Sequence, residues 1–182
     1  MSKFLRASLI VLACLTNGLP QSRNRATARE KTDLLRLILK ENKIRQDIKD
    51  FEIRVNDVAK ATRVRKVDLN GDSQPEYIVV IEDGALCGAL GNCPDWVYGK
   101  AGSEYKLLLH TRGRELLREK TSTNGYRDLR SEGGDTAFES DFIIYKYDGS
   151  KYRAKQCFSR ESTGKVEKAT SVSCKEMDEE RQ

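Results

Sequence analysis

Val67-Asp68-Leu69-Asn70-Gly71-Asp72-Ser73-Gln74-Pro75-Glu76-Tyr77-Ile78-Val79-Val80-Ile81 constrains this chain more than any other stretch. Oxygen-bearing side chains fall at alternate positions, Asp68, Asn70 and Asp72. Asn70-Gly71 marks a turn, Glu76 adds a carboxylate, and an apolar run leads away. Such a segment has to run as strand, tight turn, strand. A loop that gathers many oxygen ligands at one point suits a hard cation such as Ca²⁺. The expected ligands are Asp68, Asn70, Asp72, a backbone carbonyl near Gln74, and Glu76. The competing reading is a hairpin turn dressed with acids, because turns favour Asp, Asn and Gly for backbone reasons of their own. A full EF-hand is excluded: its sixth position needs glycine and holds Ser73, and its twelfth needs glutamate and holds Val79.

At 182 residues the chain has room for one domain. Residues 1–22 read as an export signal, with Lys3 and Arg6 before the short apolar run Ala7 to Ala13. That run falls well short of the roughly 18 apolar residues that cross a bilayer. Val11-Leu12-Ala13-Cys14 resembles a bacterial lipobox, which would make Cys14 a lipidated N-terminus. The alternative is ordinary cleavage between Thr16 and Ser22. Either route predicts an exported protein, periplasmic or extracellular, with or without a lipid anchor.

The five cysteines agree with export. Setting Cys14 aside leaves Cys87, Cys93, Cys157 and Cys174, an even set that predicts two disulfides. Local pairing, Cys87 with Cys93 and Cys157 with Cys174, is the economical arrangement. Zinc is the weaker alternative, since the Cys87–Cys93 spacing is not a usual knuckle and the chain has a single histidine.

The formal charge of +5 is modest, and both signs are interspersed, which argues against nucleic acid as a partner. Arg63-Val64-Arg65-Lys66 reads as the solvent face of a strand rather than a basic patch.

Leu34, Leu37/Ile38, Glu41, Ile44 and Ile48 recur at helical spacing, which predicts one amphipathic helix from about Thr27 to Asp50. Strand signals then follow: Phe51–Val55, Val64–Val67, Tyr77–Ile81, Asp95–Tyr98, Tyr105–Leu109, Arg114–Leu117, Gly125–Leu129, Phe142–Tyr147 and Tyr152–Phe158. Asp148-Gly149 between two aromatic-rich runs is a strong hairpin signal. The fold class these signals predict is α+β, with an N-terminal amphipathic helix packed on a disulfide-stapled antiparallel β-meander. Residues 23–160 would form the domain, and 161–182 a polar tail pinned by Cys174.

Few parts exist for catalysis. His110 ends an apolar strand, and with the remaining cysteines paired, Ser-His-Asp and Cys-His mechanisms have little to draw on. No phosphate-cradling glycine motif occurs. Trp96, Tyr126 and Asp128 are the candidate ligand contacts, Trp96 as a stacking platform and Asp128 as an acid within Tyr-Arg-Asp. Packing against a disulfide is the readier account of Trp96, and a hydrogen-bonded structural role that of Asp128.

The run Asp68 to Ile78 resembles the calcium loop of FG-GAP/VCBS-type repeats, with their Asp-x-Asn-Gly-Asp core and apolar exit strand. Those repeats carry glycine where this chain has Ser73 and aspartate where it has Glu76, which implies weakened ion affinity. The wider pattern through Cys87 to Trp96, Tyr105 to Leu109 and Asn124 to Leu129 is similar to small exported bacterial proteins without an assigned activity. The function implied is an exported, non-enzymatic calcium-loop domain that binds a protein or envelope component, in the manner of an inhibitor or immunity protein. The alternative is a cell-envelope hydrolase using acidic residues near Trp96 and Asp128.

Overall fold

The computed structural model describes residues 25–134, 136, 139–162 and 167–181. The expected export signal over residues 1–22, and Cys14 within it, lie outside the described residues. Strands dominate, with about 50% strand and 26% helix. Three short helices come first, α1 (Ala28–Ile38), α2 (Asn42–Asp50) and α3 (Val55–Ala61). An antiparallel sheet in the order β1 (Thr62–Val67), β2 (Glu76–Ile81), β3 (Cys93–Ala101), β4 (Glu104–Gly113) follows, with the one-turn helix α4 (Gly84–Cys87) between β2 and β3. A second sheet runs β5 (Glu115–Thr123), β6 (Tyr126–Gly134), β7 (Glu139–Tyr147), β8 (Tyr152–Ser162), β9 (Glu167–Val172), and helix α5 (Cys174–Arg181) ends the chain.

The expected α+β class, one long helix on a single meander, is therefore corrected to a mainly β chain with two antiparallel sheets and short helices. The predicted helix over 27–50 divides at Leu39–Glu41, because Leu39 caps α1 and Glu41 adopts an extended ψ of 132° at the start of α2. Thr27 and Glu30 close a reciprocal capping box that fixes where α1 begins. Phe51–Val55 is not a strand. Glu52 takes a left-handed φ of 54°, and Phe51 and Val55 are exposed, so their alternation recorded no buried face.

The first sheet is buried on both sides. Tyr77, Val79, Ile81, Trp96 and Tyr98 cluster with Leu34, Leu35, Ile38, Ile44 and Val58. Ile78 and Val97, of opposite parity, join Leu109 and the second sheet's Leu116, Leu129, Ile143, Tyr145 and Cys157. Burial on two faces explains why β2 reads as an almost unbroken apolar run, where a half-exposed strand would alternate.

Gly113 makes the corner where the chain leaves one sheet for the other. A Cβ there would lie 2.5 Å from Ser131 Oγ and 2.6 Å from the Glu132 carbonyl oxygen, so only glycine admits this approach. Arg114 N–H donates to that same carbonyl at 2.6 Å.

Within 161–182, the span expected as a polar tail pinned by Cys174, the described residues form the end of β8, then β9 and α5. Arg181 is buried and donates to Ser131 and to the Asp141 carboxylate, which holds the end of the chain against the second sheet. Both expected disulfides are present, Cys87–Cys93 and Cys157–Cys174. Two bridges in one small domain point to an oxidising, exported environment. Among the described residues no helix is long and apolar enough to cross a membrane.

Candidate cation loop and buried acids

Residues 68–75 connect β1 to β2, whose last and first residues, Val67 and Glu76, pair directly. The loop is organised by its own side chains. Asp68 Oδ1 accepts from Gly71 N–H at 2.6 Å and Oδ2 from Ser73 N–H at 3.2 Å. Asn70 Oδ1 accepts from Asp72 N–H at 3.0 Å, and Asp72 Oδ1 from Gln74 N–H at 2.6 Å. These bonds draw the backbone into a coil that needs positive φ at Gly71 (78°), and Ser73 adopts it too (65°). Ser73 thus holds a left-handed position that glycine would adopt with less strain.

The coil is seated on the second sheet. Arg127 N–H donates to the Leu69 carbonyl at 2.7 Å, and Asn70 Nδ2 donates to Tyr126 Oη at 3.1 Å. Tyr126 in turn stacks on Tyr147 with ring centroids 4.1 Å apart. Tyr126 therefore buttresses the loop, a role the sequence did not disclose. Asp72, Gln74, Glu76, Tyr126 and Tyr147 line a concavity of about 160 Å³ beside the loop, together with Lys100 and Lys106.

Glu76 stands apart from the other acids. It is only 4% exposed, and its Oε2 accepts from Leu69 N–H at 2.8 Å. Burial raises its pKa, the Leu69 amide works against that, and the negative charges of Asp72 and Asp68 push the same way as burial. Among the described residues no basic side chain forms an ion pair with it. The donor chemistry is that of a hard cation: three carboxylates and an amide oxygen, with no sulfur or imidazole. Among the described residues, no three His, Cys, Asp or Glu side chains stand together as a ready cage. Asp68 and Asp72 are held by the loop's own amides.

The remaining site residues lie elsewhere. Trp96 is fully buried on the helix side of β3, so no face of its ring is open for stacking on a ligand. Its Nε1–H donates to Glu41 Oε1 at 3.0 Å, and its ring stacks on His110 with centroids 4.8 Å apart. Burial, helped by the charges of Arg112 and Lys43, pushes the His110 pKa down to about 4, so the imidazole is neutral at pH 7. Asp128 is 1% exposed in β6, opposite the irregularity between Arg118 and Ser122 in β5, and its Oδ2 accepts from Thr121 Oγ1 at 2.7 Å. Its other oxygen has no hydrogen-bond partner among the described residues. Trp96 and Asp128 belong to different sheets and are not brought together.

Asp95, one of the acids beside Trp96 that the hydrolase alternative invoked, was not singled out from the sequence. It is 4% exposed, and burial pushes its pKa up to about 8, with Arg65 opposing and Glu82 reinforcing. The only signal was a carboxylate placed inside the strand run Asp95-Trp96-Val97-Tyr98.

Compared with known proteins, the chain matches no family model, no curated protein and no solved structure.

Proposed function

We propose that this is an exported, disulfide-bonded binding domain whose β1–β2 loop takes a calcium ion, in the manner of FG-GAP/VCBS-type loops, and whose task is to bind a protein or envelope component. The observation that carries the calcium reading is Glu76, a buried carboxylate pressed by Asp72 and Asp68 without a cationic partner among the described residues. A divalent cation at the loop would relieve that repulsion. Asp68, Asn70, Asp72 and Glu76, with the carbonyl near Gln74, are the residues that would hold it.

The ion's part is structural: it would stiffen the loop, and through Asn70 and Tyr126 fix the loop's seat on the second sheet. The departures at Ser73 and Glu76 place the affinity in the weak range of extracellular modules, a Kd of about 10⁻⁴–10⁻³ M. The binding task rests on the sequence resemblance and on the export reading that the two bridges support.

Calorimetric titration with calcium tests the loop. A single site of sub-millimolar to millimolar Kd, lost in Asp68→Ala and weakened in Glu76→Gln, is expected. Heats indistinguishable from dilution in the wild-type protein would make the loop a plain acidic turn.

A further inference from the structure

The Cys87–Cys93 loop is held from several independent directions. The disulfide closes its ends, and Asp83 Oδ1 caps the one-turn helix that enters it by accepting from Ala85 N–H at 3.0 Å. Asn92 reaches across to the second sheet and imitates a strand partner. Its Nδ2 donates to the Gly134 carbonyl at 2.9 Å, and its Oδ1 accepts from Gly134 N–H at 3.0 Å. Arg114 Nε donates to the Leu90 carbonyl at 2.9 Å, and the Arg112 guanidinium donates to the Leu86 carbonyl. Gly91 N–H closes on the Gly88 carbonyl at 3.1 Å.

What this framework presents is apolar. Ala89 is exposed and Leu90 is 38% exposed, and neither belongs to a core cluster. A lone exposed leucine is ordinary. A leucine whose own carbonyl is clamped within a stapled loop is different, because the ordering cost of its backbone is met before any partner arrives. Arg114 lies beside Leu90, exposed, and forms no ion pair with a carboxylate among the described residues.

We propose that this loop is a preorganised protein-binding element with Leu90 as its anchor, and that the partner is a protein surface carrying a small apolar pocket edged by carboxylates. The exposed Leu90 side chain calls for an apolar pocket, and the adjoining Arg114 charge for an acidic rim. The inference rests on the reading of the chain as a binding domain and names the element that does the binding.

The test places a photo-crosslinking amino acid at Ala89, with Gln74 and Lys155 as comparison positions, in the full-length protein expressed in its native host. A discrete protein adduct is expected from position 89 and from neither comparison position. It should fall at least tenfold in a Leu90→Asp background whose melting temperature matches wild type. An adduct at 89 that Leu90→Asp leaves unchanged would overturn the anchor. An adduct from 74 or 155 alone would overturn the loop while leaving a binding domain. No adduct from any position would overturn both.

Discussion

The indole N–H of Trp96, in the third strand, donates to the carboxylate of Glu41, the residue at which the N-terminal helical stretch breaks. The two are 55 residues apart in sequence. A continuous helix would leave a buried indole donor to find another acceptor. The break instead places an acid directly against it. Burial raises the Glu41 pKa, with the indole bond opposing. Glu41→Ala strands the Trp96 donor, and a buried donor without a partner costs about 1–3 kcal/mol. We expect urea unfolding at pH 7 to show a loss of that size, and Glu41→Gln, which keeps an acceptor, to lie near wild type.

Asp95 gives the stability a pH dependence. Its folded pKa, about 8, lies above the usual 3.8, so the folded state holds a proton that the unfolded chain releases. Its contribution is complete below about pH 4, declines as pH rises toward 8, and is gone above that. Asp95→Asn should therefore leave the melting temperature unchanged near pH 4 and raise it at pH 8.5. Melting curves across that range check it, and an Asn variant that is no more stable at pH 8.5 than wild type would refute the assignment.

The end of the chain should behave as structure. Opening the Cys157–Cys174 bridge frees a loop with a sequence separation of 17, which costs about 3 kcal/mol by loop entropy. The Arg181–Asp141 pair is buried on both sides, so Asp141→Ala leaves an uncompensated guanidinium at a cost of about 3–5 kcal/mol. Hydrogen exchange of residues 174–181 should accelerate in both variants. Unchanged protection there would mean that neither contact holds the helix.

At the corner between the sheets, Gly113→Ala drives a methyl into Ser131 Oγ and the Glu132 carbonyl. Overpacking of this kind costs about 1–3 kcal/mol. Chemical denaturation should show it, and Gly113→Ala with wild-type stability would mean that the corner relaxes freely.

The features legible in the sequence were those written locally. Asp148-Gly149 predicted a hairpin, and Tyr147 pairs with Tyr152 across it. The spacing of four cysteines predicted both bridges. What escaped were relations that only tertiary contacts decide. Glu41 fell on the apolar stripe of the predicted helix, and a carboxylate at a core position was the available sign of the break. Trp96 was expected either to pack against a disulfide or to serve as a platform, and sequence shows a ring but not that it lies against the helices, beside Glu41 and His110. Residues 161–182 read as a tail because their charge hides Arg181, whose partners Asp141 and Ser131 lie 40 and 50 residues earlier. The two-sheet arrangement was hidden for a related reason. Successive strands look the same whether they continue one sheet or turn a corner at Gly113.

The proposed calcium site in the β1–β2 loop is the central claim, and thermal unfolding of the oxidised protein tests it most directly, in 10 mM calcium and in chelator, with Asp72→Ala alongside. With a Kd of 10⁻⁴–10⁻³ M, linkage predicts a rise in melting temperature of about 3–10 °C on adding calcium. The Asp72→Ala variant should lose it. Identical melting temperatures with calcium and with chelator in the wild-type protein would contradict the account and leave residues 68–75 an acidic turn closed by its own amides.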